Sequence, residues 1–493
     1  MKRIVFRLAA AVLLLVIVAI AGGTIALRAS LPQLDGKIIV SGIEADASIV
    51  RDADGIPVIT AISRADLAFA TGFAHAQDRF FQMDLIRRQA AGELSELVGK
   101  AAIDVDKRYR FHRFRHRARL VVDAASDDER AIIEAYANGV NEGLASLGTR
   151  PFEYFVLRTT PQSWMVEDSV LVVFAMYMQL NDSRASKDVR RGLAYRVLPA
   201  EVYAWMYPDG TPWDAPLMGE PRGVAAIPSA DVYSVRDVAD TAPAAMEVGR
   251  YPLRGSNNWA VSGALTPDGR AIVSNDMHLG LSTPNIYYQA RLVVDGDEGT
   301  DITGVTLPGT PFVIAGSNTM VAWGFTNSYG DWTDAVVLQP GSSPDTYVTP
   351  EGEKAFKTVS EIIDVKGADP VEYTVRETVW GPVLDDADYP DGDVAVSWIA
   401  HKPEGVNLRL LDLERARNVE EALNIANTMS MPPQNFVSGD SGGNIGWTIA
   451  GKIPRKSDFN AMVPADWSTE HGWQGWLDSS EYPRVVNPPS GRI

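Results

Sequence analysis

Serine 256 and histidine 278 are the first residues in this sequence whose types and spacing suggest chemistry. They lie in RGSNNWAVSGALTPDGRAIVSNDMHLG, where WAVSGAL and RAIVSND read as two antiparallel strands joined across TPDG. With Pro267 and Asp268 as the central turn residues, paired positions add to about 535, which sets Ser256 opposite residue 279 and one place from His278. Directly opposed side chains in such a ladder stand about 4.5–5.5 Å apart at Cβ. A serine hydroxyl needs a base to become a nucleophile, and this hairpin brings one imidazole to the same end. The plain alternative is that His278 is a satisfied polar residue at a strand end.

A second route to an activated serine lies in the chain itself. An α-amine has an ordinary pKa of about 7.7–8.0, well placed to accept the hydroxyl proton near neutral pH. Cleavage after Gly255 would give Ser256 its own amine as base. Gly255 obstructs attack of the neighbouring hydroxyl on its carbonyl less than any other residue type. The stretch from Val224 to Arg254, rich in Ala, Pro, Asp and Ser, supplies an exposed connector that excision requires.

The elements that must hold these residues divide at that connector. AFATGFAHAQDRFFQMDLIRRQAAGELSELVG and DDERAIIEAYANGVNEGLASL have helical periodicity, the second with acidic residues at its start. Ser163 is expected to cap the apolar helix WMVEDSVLVVFAMYMQL. Before them, Asp54-Gly55 marks a hairpin within IVRDADGIPVITA. After Ser256 strands dominate, with turn signals at Pro267-Asp268-Gly269 and Gly442-Gly443. The outline is a helical first half, residues 31–223, a connector over 224–255, and a β-rich half over 256–493.

Composition narrows the compartment and the partners. Lys2, Arg3 and Arg7 precede an apolar run from Leu8 to Leu27, long enough to cross a bilayer core. Residues 1–30 therefore read as a signal peptide or a retained membrane anchor, with the remainder exported to the periplasm or the outer face of the inner membrane. The 493 residues include no cysteine, which excludes disulfides and thiolate chemistry. A net charge of -18, from 63 acidic and 45 basic residues, argues against nucleic acid as a partner. The basic run Lys107–Arg119 reads as a salt-bridged helix face, with contact to anionic lipid as its alternative. His75, His112, His116, His401 and His471 lack metal-ligand spacing and read as structural.

SNNW followed by NDMHLG resembles the start of the β-subunit in the penicillin acylase family of N-terminal-nucleophile hydrolases. RDADGIPVITA, GFAHAQDRFFQMDLIRR, GVTLPGTPFVIAGSNTMVAWGFTNSYGDWTD, GNIGWTIAGKIPRK and NPPSG extend the resemblance from about Leu31 onward. It implies an α+β, four-layer αββα fold with a largely helical α-subunit region, and a precursor cut into an α/β heterodimer. It further implies hydrolysis of a small acyl amide, such as an acylated β-lactam nucleus, homoserine lactone or lipopeptide. No cofactor would be required for the chemistry.

By this resemblance Ser256 is the nucleophile, His278 a catalytic residue at a position where members hydrolysing polar or long-chain acyl amides tend to carry histidine, and the backbone of Asn327 an oxyanion-hole donor. Leu279, Ile314 and Phe325 would line the acyl pocket. Asp331, Thr333 and Asp334 match a loop that supplies oxygen ligands to structural calcium; Ser186 stands where an α-subunit glutamate is expected, with Asp188 close by. The plain reading of that loop is a solvated acidic turn. The family's second oxyanion donor, an asparagine after the NPxxG stretch, lies beyond Ile493, so the sequence reads as a C-terminally truncated precursor. On that reading the competing function is an inactive shell that at most binds acylated ligands. Gly439-Asp440-Ser441-Gly442-Gly443 spells the nucleophile loop of trypsin-like proteases, but the required His-Asp-Ser order is missing, and a hairpin turn accounts for it better.

Overall fold

The computed structural model describes residues 2–234, 255–296, 299–384 and 392–493. Most of the expected connector, residues 235–254, lies outside the described residues. The chain forms two compact units: Met1–Ala175 with Ser282–Ile314 and Ile362–Val371, and Met176–Leu281 with Ala315–Glu361 and Glu372–Ile493. The α+β class is as expected. Among the described residues, helices concentrate before residue 207 and strands from Gly255 onward.

In the first unit, the apolar run forms the exposed helix Lys2–Ala29, and the Ala29 carbonyl accepts a hydrogen bond from Thr149 N–H at 3.1 Å. The Asp54-Gly55 turn joins strands Ser48–Arg51 and Pro57–Ala61, with Asp52 Oδ1 accepting from the Asp54 and Ile56 amides. Pro57–Ala61 pairs in parallel with Tyr288–Val294, which pairs antiparallel with Asp301–Thr306, so the sheet is mixed. Helix Arg64–Ala91 starts at Ser63, whose hydroxyl accepts from Asp66 N–H, and ends at Gly92 in the left-handed region. Helix Asp127–Ala145 begins with a reciprocal Ser126/Glu129 capping box. These two helices approach backbone to backbone: a Cβ at Gly139 would stand 1.9 Å from the Phe69 carbonyl oxygen, and one at Gly143 2.4 Å from that of Phe73.

Two buried polar networks fix this unit. Thr306 Oγ1 donates to the Tyr288 carbonyl, so it must accept from His75 Nε2–H; His75 Nδ1 in turn accepts from Tyr136 OH, which accepts from Gly309 N–H. His75 is thus a satisfied core histidine, and burial pushes its pKa down to about 3. In the second network, Asp168 is fully buried between Arg87 and Arg115, while Asp84 accepts from Arg87, Arg88 and Tyr154. Arg115 also reaches Glu93, and Arg119 reaches Glu167, so the basic run is a salt-bridged face as expected. The expected Ser163 cap is not formed. The helix starts at Val166, where Asp168 accepts from Met165 N–H and the Ser163 carbonyl is taken by Arg87.

The second unit layers one helix and two sheets. Residues 315–317 and strands Val321–Asn327, Gln434–Asp440, Ile445–Ala450 and Arg484–Val486 lie side by side, antiparallel throughout. Gly446 faces Val419 and Leu423 of helix Val419–Ala426. Alternation turns Val437 and Ile445 to the other face, where they pack with Ala260 of the hairpin Gly255–Val261/Ile272–His278. Each such buried aliphatic side chain contributes about 1.5–3 kcal/mol. Ser441 sits exposed in the turn between the Gln434 and Ile445 strands, so GDSGG is the expected hairpin.

Candidate functional site

The hairpin that carries Ser256 differs in register from the expectation. Ser256 lies opposite Met277, and His278 lies opposite Gly255. The reason is the connection, which is not a two-residue turn on Pro267-Asp268. A 3-10 turn over Gly263–Leu265, with Ser262 Oγ accepting from Ala264 N–H, takes up chain on one side. Alternation then separates the two residues: Ser256, Asn258 and Ala260 face the sheet, whereas His278 projects from the outer face with Gly255. His278 is half-exposed, and its Nε2 is 2.7 Å from Asp276 Oδ2. Its Nδ1 stands 3.7 Å from where a Gly255 Cβ would be. The imidazole is therefore placed by the peptide preceding Ser256, away from the Ser256 hydroxyl.

Ser256 and Asn327 are brought together. Asn327 ends the strand Val321–Asn327, and its backbone N–H donates to Ser256 Oγ at 3.3 Å. The Asn327 peptide is held by its own side chain, which donates to the Leu180 carbonyl at 2.9 Å, and by Asn435 Nδ2, which donates to its carbonyl at 3.4 Å. A backbone N–H this close to a serine hydroxyl could donate to an oxyanion forming on the carbonyl oxygen of a group attacked by that hydroxyl. Of the three pocket residues, Leu279 is half-buried just past the hairpin, its carbonyl accepting from Gln179. Phe325 is buried, 5.2 Å from the Phe436 ring, and alternation puts it on the sheet face away from the Ser256 hairpin. Ile314 lies half-buried in the strand Val313–Ser317, at the edge of the first unit.

Three asparagines to which the sequence reading gave no role, Asn258, Asn275 and Asn435, position the pair. Asn275 Oδ1 accepts from Phe325 N–H at 3.0 Å, and its Nδ2 donates to the Phe325 and Asn257 carbonyls at 2.9 and 3.2 Å. Its amide thus stands in for a strand partner of Phe325. Asn258 Nδ2 reaches the Gly324 and Asn435 carbonyls, and Thr326 Oγ1 donates to Asn258 Oδ1. Gly324 is needed here, since a Cβ would lie 2.7 Å from Asn275 Cβ. The available signal was asparagine recurring in strands, where it is disfavoured unless its amide has a task.

The acidic loop forms a carboxylate cluster. Asp188, Asp331 and Asp334 bring ligand oxygens within 4.8 Å of one another and can coordinate a metal ion. Asp188, two residues past Ser186, supplies the third carboxylate, and Thr333 is buried beside Asp334 at the start of its strand. Burial, then the charges of Asp331 and Asp334, push Asp188 up to about 8; burial pushes Asp334 up to about 6 against the pull of Lys456. Lys456 Nζ lies 2.6 Å from Asp331 and 2.8 Å from Asp334, while Asp334 Oδ1 is buried without a hydrogen-bond partner. That uncommitted oxygen and the raised carboxyl pKa values fit a structural cation such as calcium, held by Asp188, Asp331 and Asp334.

The sequence also matches known proteins. The penicillin amidase family profile ("Penicillin amidase") matches residues 46–493. Penicillin acylase 2 proenzyme of Pseudomonas sp. (strain SE83) is 31% identical over 477 residues, covering 95% of this chain and 60% of that protein. Acyl-homoserine lactone acylase QuiP of Pseudomonas aeruginosa is 28% identical over 495 residues, covering 94% and 56%. Penicillin G acylase of Escherichia coli is 26% identical over 501 residues, covering 91% and 58%. A solved structure of thermostable penicillin G acylase from Alcaligenes faecalis aligns at 25% identity with a TM-score of 0.42, over 48% of this chain and 43% of that one. The chain spans 60% or less of the length of these three curated relatives.

Proposed function

The chain belongs to the penicillin amidase family, and on that premise we propose that it is a self-processing amidohydrolase whose nucleophile is Ser256. In processing, Ser256 Oγ attacks the Gly255 carbonyl carbon, and the peptide nitrogen leaves as the Ser256 amine. Water then hydrolyses the resulting ester, leaving a Gly255 carboxylate and a free N-terminal serine. His278, beside the Gly255 peptide on the outer face, is positioned to serve this step more than the later turnover.

In turnover, the Ser256 amine accepts the hydroxyl proton as Oγ attacks the acyl carbon of the substrate amide. The oxyanion that forms accepts from Asn327 N–H. Collapse expels the amine, which takes the proton back from the Ser256 ammonium, and water releases the acid from the acyl ester. Substrates of this class are linear amides joining an acyl group to an amine such as a β-lactam nucleus, homoserine lactone or lipopeptide. Leu279, Ile314 and Phe325 stay assigned to the acyl pocket by family resemblance alone. Calcium, if bound at Asp188, Asp331 and Asp334, would have a structural role. The helix Lys2–Ala29 fits export, with residues 8–27 as a membrane tether or signal.

The observation that carries this reading is the 3.3 Å hydrogen bond from Asn327 N–H to Ser256 Oγ. Mass spectrometry of the exported protein tests it: a fragment beginning at Ser256 is expected, and Ser256→Ala should remain uncut and inactive towards N-acyl homoserine lactones and phenylacetylated amines. An uncut wild-type chain would overturn the proposal and leave a shell of the same fold that at most holds acylated ligands.

A further inference from the structure

The helix Lys2–Ala29 sets where a bilayer would meet the first unit. Its apolar run from Leu8 to Leu27, about 20 residues at about 1.5 Å each, matches a hydrocarbon core of about 30 Å. Arg28 and Ala29 then stand at headgroup level, and there the helix touches the rest of the unit. The Ala29 carbonyl accepts from Thr149 N–H at 3.1 Å, and a Cβ at Gly148 would stand 3.0 Å from the same oxygen. Ala29 lies two residues past Leu27, which is about 3 Å of helix rise. The backbone at Gly148 and Thr149 is thereby held close to the acyl boundary.

Three residues after Thr149 the short helix Phe152–Val156 begins. Tyr154 is buried and its hydroxyl donates to Asp84 Oδ2 at 2.7 Å, which fastens one side of this helix inside the unit. The other side carries Phe152, Phe155 and Val156 at i, i+3 and i+4, the spacing of one helix face. They are 49%, 39% and 77% exposed. A surface helix ordinarily turns its apolar stripe to the core and its polar groups to water, so this one is inverted. Leu31 and Leu34, just past the N-terminal helix, are also exposed.

Charge points to the same partner. The chain carries -18 overall, yet residues 148–158 hold Arg150 and Arg158 against Glu153 alone. Arg28 adds a third cation at the end of the N-terminal helix, and Lys366, whose Nζ donates to the Leu157 carbonyl, adds a fourth. The Arg150 guanidinium lies 4.5 Å from the Phe155 ring centre, so positive charge borders the apolar face directly. Aromatic and aliphatic groups flanked by arginine suit the boundary between acyl chains and phosphate headgroups, with the cation reaching outward from the apolar layer. The contact at Ala29 brings that boundary to the loop.

We propose that the face formed by Phe152, Phe155 and Val156 docks on the bilayer that holds the N-terminal helix and inserts among anionic phospholipid headgroups, seating the first unit on the membrane. The proposal rests on residues 8–27 being a retained tether. The chain has no cysteine, so single-cysteine variants of the full chain each accept one NBD fluorophore. Val156→Cys, Phe152→Cys and Leu27→Cys are labelled and compared in nanodiscs of phosphatidylglycerol with phosphatidylcholine, with and without 5-doxyl lipid. Quenching is expected at all three positions, about twofold or more at 152 and 156. It should weaken at 152 and 156, but not at 27, in phosphatidylcholine alone or when Arg150→Gln and Arg158→Gln are added. Quenching at 27 without quenching at 152 and 156 overturns the docking and leaves the tether standing. No quenching at 27 overturns the tether and the proposal with it. Equal quenching at 152 and 156 in both lipids, unmoved by the arginine changes, overturns the assignment to anionic headgroups.

Discussion

Replacing Asn275 with alanine tests how the Ser256 hairpin is held against its sheet. The side chain makes three hydrogen bonds, two of them to the N–H and C=O of Phe325. Alanine leaves both Phe325 groups without that partner in a part-buried location. At about 1–3 kcal/mol for each unmatched buried group, partial water access favours the lower half of the range, so the expected loss is about 2–4 kcal/mol. Urea denaturation of the detergent-solubilised chain should show a lower midpoint with an unchanged slope. Phe325 is two residues from Asn327, so the same substitution should slow appearance of the fragment beginning at Ser256. Asn275→Asp should do no better, because a carboxylate cannot donate to the Phe325 carbonyl. A midpoint within about 0.5 kcal/mol of wild type, with processing at the normal rate, would refute the idea that this amide substitutes for a strand.

Four further outcomes follow from the buried titratable groups. His75 has a folded pKa near 3 and an ordinary value of 6.5; being depressed in the fold, it contributes stability above pH 6.5 that is lost as pH falls towards 3. About 2 kcal/mol should disappear between pH 7.5 and 5, and His75→Gln should remove that part of the slope in urea titrations at each pH. Asp168→Ala would strand Arg87 and Arg115 and should cost about 3–5 kcal/mol; a loss below about 1 kcal/mol would mean the pairs are exchanged for water. Calcium should raise the thermal midpoint, by about 2.7 kcal/mol of stability at a hundredfold excess over Kd, and Asp334→Asn should abolish the shift. Lys456→Met should strengthen calcium binding, since the ammonium occupies two of the carboxylates.

Much of the fold could be read from the chain because its signals are local. The acidic residues that open Asp127–Ala145 and the Asp54-Gly55 turn each start or join an element through its own backbone geometry. The Ser256–Asn327 encounter was legible only through family resemblance, because the two residues are 71 positions apart and no local pattern links them. The register error at His278 has a local cause: a 3-10 turn cannot be told from an extended strand end by composition, and a small shift changes which side chain faces the sheet. The roles of Asn275 and Lys456 were hidden because each depends on a partner distant in sequence.

The parallel pairing of Pro57–Ala61 with Tyr288–Val294 joins residues from the two sides of the Gly255–Ser256 bond. So do the contacts of His75 with Thr306 and of Tyr136 with Gly309. Severing the chain at that bond would therefore leave a shared sheet and a shared interior. The two pieces should copurify through dilution and high salt and come apart only in denaturant. Once apart, each would lack strands that the other supplies, so remixing the separated chains should restore native protein far less efficiently than refolding the uncut precursor.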